Sequence, residues 1–369
     1  MAMNWRLFWV KVTRLSINKF RNLTDIYCEP SAGVNVIFGE NGQGKTNLLE
    51  AIWLFTGARS FRGAQASDYI PFGEARSIFS VTYNDSNREN LTNITLGDKK
   101  EVLQNGVALE SLSALSGSFC SVVFSPAHLN LVKGGPAERR KALDVVIGQI
   151  KPRYIAVCQE YQKQLYQRNS LLKDIPFSSS LLDTLDVWDQ SLAKTGALIA
   201  RTRKSFLEKL IPFSDDFYKG ISSGREELSL SYFSTLEIEN VISEETMLSL
   251  LKKHRAEDIR VGSSSVGPHR DDLLIDINAM PAKNFGSQGQ QRSAVLALKL
   301  GECALIEQVT SQKPVVLLDD VMSELDDLRR DFLLHRLLDR QIFITCCDPR
   351  QVVDVDASYK IEAGRLVAQ

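Results

Sequence analysis

Apolar residues change their spacing along the chain, and each change marks a different kind of element. Val34-Asn35-Val36-Ile37-Phe38 is nearly continuous, which predicts a short strand covered on both faces of a parallel or mixed sheet. Leu48, Leu49, Ile52 and Phe55 then recur at helical spacing, so a buried helix follows. Ala75 to Tyr83, Leu91 to Leu96 and Phe119 to Phe124 alternate as strands do, with Asn, Asp and Gly between them. From Pro136 to about Ile175, and from Leu181 to Leu210, the chain is rich in Leu, Lys, Glu, Arg and Gln and poor in Gly and Pro, predicting two long helices. The break at Pro176 to Ser180 lets them fold back as an antiparallel arm, whose apolar spacing is too irregular for a long coiled coil. Strand patterning resumes at Leu228 to Phe233 and Leu273 to Ile277. A helix from Gln290 to Gln308 and two buried strands, Val315 to Leu318 and Ile342 to Cys346, complete the series.

Composition sets limits on this picture. A chain of 369 residues, 44% hydrophobic and 24% charged, reads as a soluble globular protein of two or three lobes. Its formal charge of -1 means that contact with nucleic acid requires a local basic patch. No apolar run approaches the roughly 20 residues of a membrane span, so no membrane partner is expected. Met1 to Val10 lacks the apolar core and cleavage pattern of a signal peptide. Cys28, Cys120, Cys158, Cys303, Cys346 and Cys347 form no CxxC pair and have no histidine at zinc-ligand spacing, which points to reduced thiols in the cytoplasm.

Chemistry enters at Gly39-Glu40-Asn41-Gly42-Gln43-Gly44-Lys45-Thr46, which has the spacing G-x-x-x-x-G-K-T between a predicted strand and a predicted helix. Glycines there let backbone N–H groups converge on phosphate oxygens, and the helix start adds partial positive charge. Lys45 supplies a cation to the β- and γ-phosphates and Thr46 a hydroxyl to Mg²⁺, so this loop, with Asn47, is expected to bind ATP. The strand from Val315 runs into Asp319 and Asp320. A carboxylate at such a tip can hold Mg²⁺ or its waters, the role expected of Asp319, while Asp320 is placed to orient or deprotonate the attacking water. Lys45, Asp319 and Asp320 are the catalytic candidates. Ser287-Gln288-Gly289-Gln290-Gln291-Arg292 opens the helix bearing Val295, Leu296, Leu298 and Leu305. By itself Ser287 is an N-cap, and a helix N-terminus is also an anion site.

Ser287 to Arg292 resembles the signature sequence of ATP-binding-cassette ATPases, in which a serine, a glycine and a helix start cap the γ-phosphate held by the partner subunit. That resemblance puts Ser287, Gly289 and Gln290 in the same role. Ser323-Glu324-Leu325-Asp326 resembles the D-loop along the dimer seam of those enzymes. Together these features resemble the head of the SMC/Rad50 class, and more closely the RecF family of bacterial recombination mediators. The blocks that carry it run from Asn18-Lys19-Phe20-Arg21-Asn22 through the phosphate loop to Ile52, then Arg59-Ser60-Phe61-Arg62, Gly134-Gly135-Pro136-Ala137-Glu138-Arg139-Arg140, Gly267-Pro268-His269-Arg270-Asp271-Asp272 and Leu317 to Asp326. They span nearly the whole chain in family order.

The resemblance implies an α/β fold: one P-loop ATPase head of the ATP-binding-cassette type, assembled from both chain ends. Its N-terminal lobe would cover residues 1–135, an inserted helical arm 136–221, and a C-terminal lobe 222–369. It also implies weak Mg-dependent ATP hydrolysis used as a switch, an ATP-dependent homodimer, and binding to double-stranded DNA and single-strand/double-strand junctions. RecR and RecO would act with it to place RecA on single strands coated by SSB. A transporter subunit shares the nucleotide motifs but lacks the inserted arm, and an SMC-type organiser would need a longer coiled coil. The chain departs from the cassette pattern at Val123 to His128, which offers no Q-loop glutamine, and after Ile344, where Thr345 or Asp348 must replace the switch histidine. His269 belongs either to a salt-bridged turn or to a coupling between lobes. Finally, Lys133, Arg139, Arg140, Lys141, Lys151, Arg153, Lys163 and Arg168 form a basic stretch, with Arg139, Arg140 and Lys141 as the expected DNA contacts. The alternative is a solvated helix face.

Overall fold

The computed structural model describes residues 8–86 and 88–367; the expectation of no signal peptide and the start of the 1–135 lobe fall on Met1 to Leu7, outside the described residues. The strand Val34–Phe38 lies inside a six-stranded sheet, between Ile342–Cys346 and Ala357–Glu362. Val315–Asp319 and Ser121–Phe124 extend the sheet on one side, and Arg365–Val367 closes the other. Strands from the first and last thirds of the chain therefore share one sheet. Val36 is in register with Ile344, and Leu317 with both Phe343 and Val123. Apart from the antiparallel edge strand the pairings are parallel. The inner strands Val315–Asp319 and Ile342–Cys346 are buried throughout, which is why they read as continuous apolar runs, and the edge strand Ser121–Phe124 is buried as well. The α/β head is built from both chain ends.

A second sheet of six antiparallel strands runs in the order Leu23–Cys28, Lys11–Phe20, Ser77–Asn84, Glu89–Leu96, Glu101–Gln104 and Val107–Leu109. The helix Lys45–Leu54 contacts both sheets, with Leu48, Leu49, Ile52 and Leu54 buried. Phe55 and Phe20 each meet Phe79 edge-on, at ring-centroid separations of 5.5 and 5.2 Å. Each such side chain contributes about 1.5–3 kcal/mol by leaving water, so this core holds the phosphate loop's helix against both lobes' sheets.

In the arm the first predicted helix is two: Pro136–Ile150 and Pro152–Asp174. Pro152 lacks an N–H and forces Lys151 out of the helical region, to φ -136 and ψ 80. The second helix runs Leu182–Ser222, well past the expected end at Leu210, with Pro212 inside it. Packing overrides the proline. The helix Gln288–Thr310 lies so close that a Cβ on Gly301 would stand 2.6 Å from Ser214 Oγ. Residues 244–264, within the segment expected as the C-terminal lobe, pack against the arm's helices. The guanidinium of Arg168, fully buried, binds Asp189 at 2.6 Å, Asp258 at 2.8 Å and Ser264 at 2.7 Å.

Candidate functional site

Where the strand Val34–Phe38 ends, Gly39 turns the chain at φ +153, and a Cβ there would stand 2.3 Å from the Ile361 carbonyl oxygen. Gly44, at φ +112, starts the helix Lys45–Leu54. Both positions require glycine. The loop is braced from outside: Asn22 Nδ2 donates to Gly42 O at 2.8 Å, and the Ala363 N–H donates to Gln43 Oε1 at 2.6 Å. Lys45 is 7% exposed, and its ammonium donates to the carbonyls of Gly39 at 2.7 Å and Glu40 at 2.9 Å. Those neutral acceptors are ones an anionic phosphate oxygen would outcompete. Cys347 Sγ lies 3.8 Å from the same ammonium and 3.3 Å from Asn41 Oδ1.

The acid-bearing strand Val315–Asp319 reaches the loop from two positions along the sheet, with Ile342–Cys346 between it and Val34–Phe38. Thr46 Oγ1 donates to Asp319 Oδ1 at 2.7 Å, and Thr345 Oγ1 donates to the same oxygen at 3.1 Å. Thr345 also accepts the N–H of Asp320 at 3.0 Å, while Asp320 sits at φ +52. Burial pushes the Asp319 carboxyl above its ordinary value, against hydrogen bonds from Thr46 and Thr345 that lower it. A carboxylate and a hydroxyl brought together here are the hard oxygen donors that suit Mg²⁺, and a divalent cation would relieve the cost of the buried charge. Asp348 instead binds Arg350 at 2.7 Å. Thr345, and not Asp348, lines the loop's cavity of about 190 Å³ together with Lys45, Thr46, Asn47 and Asp320.

Arg62 also lines that cavity, and its Nη1 donates to Asn47 Oδ1 at 2.9 Å. Its block was visible in the sequence, but a role could not be assigned without the loop's path. That path is set by Ser60, whose hydroxyl donates to the fully buried Glu50, itself paired with Arg21 at 2.7 Å.

Ser287, Gly289 and Gln290 are not brought to this cavity within one chain. Ser287 is exposed at the start of its helix, where its Oγ accepts the Gln290 N–H at 3.2 Å and its own N–H donates to Gln290 Oε1 at 2.8 Å. Nearby, Glu324 of the D-loop-like turn pairs with Arg292, and its carbonyl accepts from that arginine at 2.7 Å.

The expected DNA strip needs correction. Arg139 is 8% exposed and grips Asp272 with two bonds, at 2.7 and 2.8 Å, while also donating to Gly134 O. It has no side available to a backbone phosphate. Arg168 is likewise enclosed in its network with Asp189 and Asp258. Arg140 is half-buried and Lys141 exposed, and both line a different cavity between lobe and arm. His269 joins Tyr161 of the arm at 2.6 Å and Ser264 O at 3.1 Å; burial pushes its pKa down to about 4, so near neutral pH it is an uncharged tie between arm and lobe.

The chain as a whole is similar to known proteins. The family model "RecF/RecN/SMC N terminal domain" matches residues 11–366. The DNA replication and repair protein RecF of Acetivibrio thermocellus is 36% identical over 364 residues, covering 96% of this chain and 99% of that one. The corresponding protein of Agathobacter rectalis is 37% identical over 361 residues, covering 96% and 98%. Among solved structures, the recombination mediator protein RecF-ATP of the RecFOR pathway superposes with a TM-score of 0.91 at 37% identity, covering 97% of each chain. A Pyrococcus furiosus Smc head domain shares the fold at a TM-score of 0.55 and 15% identity, covering 98% of this chain and 96% of that one.

Proposed function

This chain belongs to the RecF family, and on that premise we propose that it is an ATP-switched DNA-binding protein of recombinational repair, an ATPase whose nucleotide state controls its grip on DNA. The observation that carries the reading is the meeting of Thr46 with Asp319 beside Lys45, from segments 273 residues apart in sequence. Lys45 would exchange the carbonyls of Gly39 and Glu40 for β- and γ-phosphate oxygens. Thr46 and Asp319 would hold Mg²⁺, which supplies charge neutralisation at the phosphates. Asp320 would orient or deprotonate the attacking water, and its short side chain suits slow turnover, so hydrolysis times release.

Ser287, exposed, with Gly289 and Gln290, half-buried, lie apart from the cavity and would complete the site of a second copy in an ATP-dependent homodimer. The lobes over 1–135 and 222–369 carry the nucleotide chemistry in this reading. The arm over 136–221, with residues 244–264 added, borders the DNA path. Double-stranded DNA and strand junctions are the proposed ligands, RecR and RecO the proposed partners in placing RecA, and the cytoplasm the proposed location; no helix among the described residues is long and apolar enough to cross a membrane.

The test is Lys45→Met with a fluorescent ATP analogue and Mg²⁺. Loss of the loop's cation should weaken binding by about two orders of magnitude or more, at roughly 1.4 kcal/mol per tenfold. Undiminished affinity in a folded variant would refute the site.

A further inference from the structure

A larger cavity, about 690 Å³, lies between the antiparallel lobe and the arm, and nucleotide chemistry does not use it. Its walls come from the turn after the phosphate loop's helix at Arg59, from the arm at Arg140, Lys141, Gln149 and Arg203, and from the turn at His269. Asp144 is the one carboxylate of the lining. It is already committed, accepting two bonds from Arg203 at 2.8 Å and one from Tyr154 at 2.5 Å. His269 is neutral. Asp144 is spent mainly on Arg203, so Arg59, Arg140 and Lys141 leave an excess of positive charge at this wall, tempered at Arg140 by the nearby Asp144, Asp271 and Asp272. Arg140 gives one N–H to the Asp271 carbonyl at 2.6 Å, and among the described residues the side chains of Arg59 and Lys141 have no hydrogen bond or ion pair.

Gln149 adds an independent observation. It is 2% exposed, its Oε1 accepts the Ser121 N–H at 2.8 Å, and its Nε2 is buried without a partner. The polar groups left over at this cavity are thus mainly donors, and three of them are cationic. A ligand that fits must be rich in acceptors and anionic, as a phosphodiester is. The volume falls within the ~300–1,000 Å³ of clefts that enclose small ligands, which admits one or two nucleotides and excludes a duplex.

We propose that this lobe–arm cavity holds the phosphates of a single nucleic-acid strand, with Arg59, Arg140, Lys141 and Gln149 as donors. The inference rests on the DNA-binding reading above and gives it a location different from the outer helix face. It also places the strand next to the nucleotide site, because one loop carries Arg59 to this cavity and Arg62, three residues on, to the other.

The experiment measures binding of an oligothymidylate and of a blunt duplex to the full chain with ATP, across salt. It compares the parent with Arg140→Gln/Lys141→Gln and with the charge-keeping Arg140→Lys/Lys141→Arg. The neutral pair should lose about tenfold or more in single-strand affinity, and the log-log salt slope should fall by about 0.7 for each contact removed. The charge-keeping pair should stay near the parent, and duplex affinity should change less. Should the double variant misfold, Lys141→Gln alone alters an exposed side chain and should show a single step of slope. Parental affinity and slope in the folded neutral variant would overturn the cavity while leaving DNA binding intact. A parent that binds no DNA with ATP would overturn the DNA reading and this inference with it. Inorganic phosphate is the last arm. Thermal protection by phosphate that the neutral variant loses, with strand binding unchanged, would show a free-phosphate site and overturn the strand as ligand.

Discussion

Cys347 shows how one residue can report on the whole nucleotide site. Five of the six cysteines are withdrawn from reaction: burial pushes the thiols of Cys28, Cys120 and Cys303 up to about 12 and those of Cys158 and Cys346 up to about 11. Cys347 is exposed and lies 3.8 Å from the Lys45 ammonium. A thiol reagent should therefore label Cys347 first, and the adduct should occupy space that phosphates need. ATP with Mg²⁺ should slow that labelling several-fold, and the labelled chain should lose nucleotide binding, both followed by mass spectrometry and analogue fluorescence. Equal labelling rates with and without ATP, or full binding after labelling, would place Cys347 outside the phosphate path. At this scale the sequence was legible where local geometry is set by consecutive residues, as in the strand–turn–helix path from Gly39 to Thr46. It misled where a charge's partner lies far along the chain. Arg139 looked like a free cation because Asp272 is 133 residues away.

Helices and strands were legible wherever one element's pattern sufficed, and less so where contact between elements decides the outcome. The arm's first helix breaks at Lys151 through local proline chemistry, yet its last helix passes Pro212 because packing against Gln288–Thr310 outweighs the lost hydrogen bond. The packing of residues 244–264 on the arm had no local signal at all. Buried Met247 and Leu251 contribute to it, and so does Arg168, whose guanidinium joins the helices Pro152–Asp174, Leu182–Ser222 and Arg255–Val261 through Asp189 and Asp258. Removing that cation leaves buried carboxylates without their main partner, at a cost of about 3–5 kcal/mol. Arg168→Ala should lower the midpoint of thermal unfolding and open the arm to limited proteolysis, while ATP-analogue affinity stays close to the parent. An unchanged midpoint and cleavage pattern would mean that the apolar seam alone holds these helices together.

At the scale of the molecule, assembly from both chain ends was legible because the phosphate loop and the Asp319–Asp320 strand have to meet, and the shared sheet brings them together through Ile342–Cys346. On the proposed two-copy reading, one chain alone does not complete the site. The helix start at Ser287 is exposed, Ser287 and Gln290 cap each other there, the other first-turn N–H groups are ones a phosphate could engage, and Ser287 does not line the cavity around Lys45. The missing donors to the γ-phosphate are then expected from a second copy, which makes dimerisation a consequence of ATP and not a precondition for binding it. Ser287→Arg should leave analogue affinity in the dilute monomer within about twofold of the parent, since no contact to the phosphate loop is altered; a twofold change is only about 0.4 kcal/mol. Sedimentation with ATP and Mg²⁺ should nevertheless show the variant remaining monomeric at concentrations where the parent pairs, because a bulky guanidinium replaces the hydroxyl facing the partner's nucleotide. If the variant pairs normally, or if its monomer loses ATP as completely as Lys45→Met does, Ser287 acts within its own chain and the two-copy site is wrong.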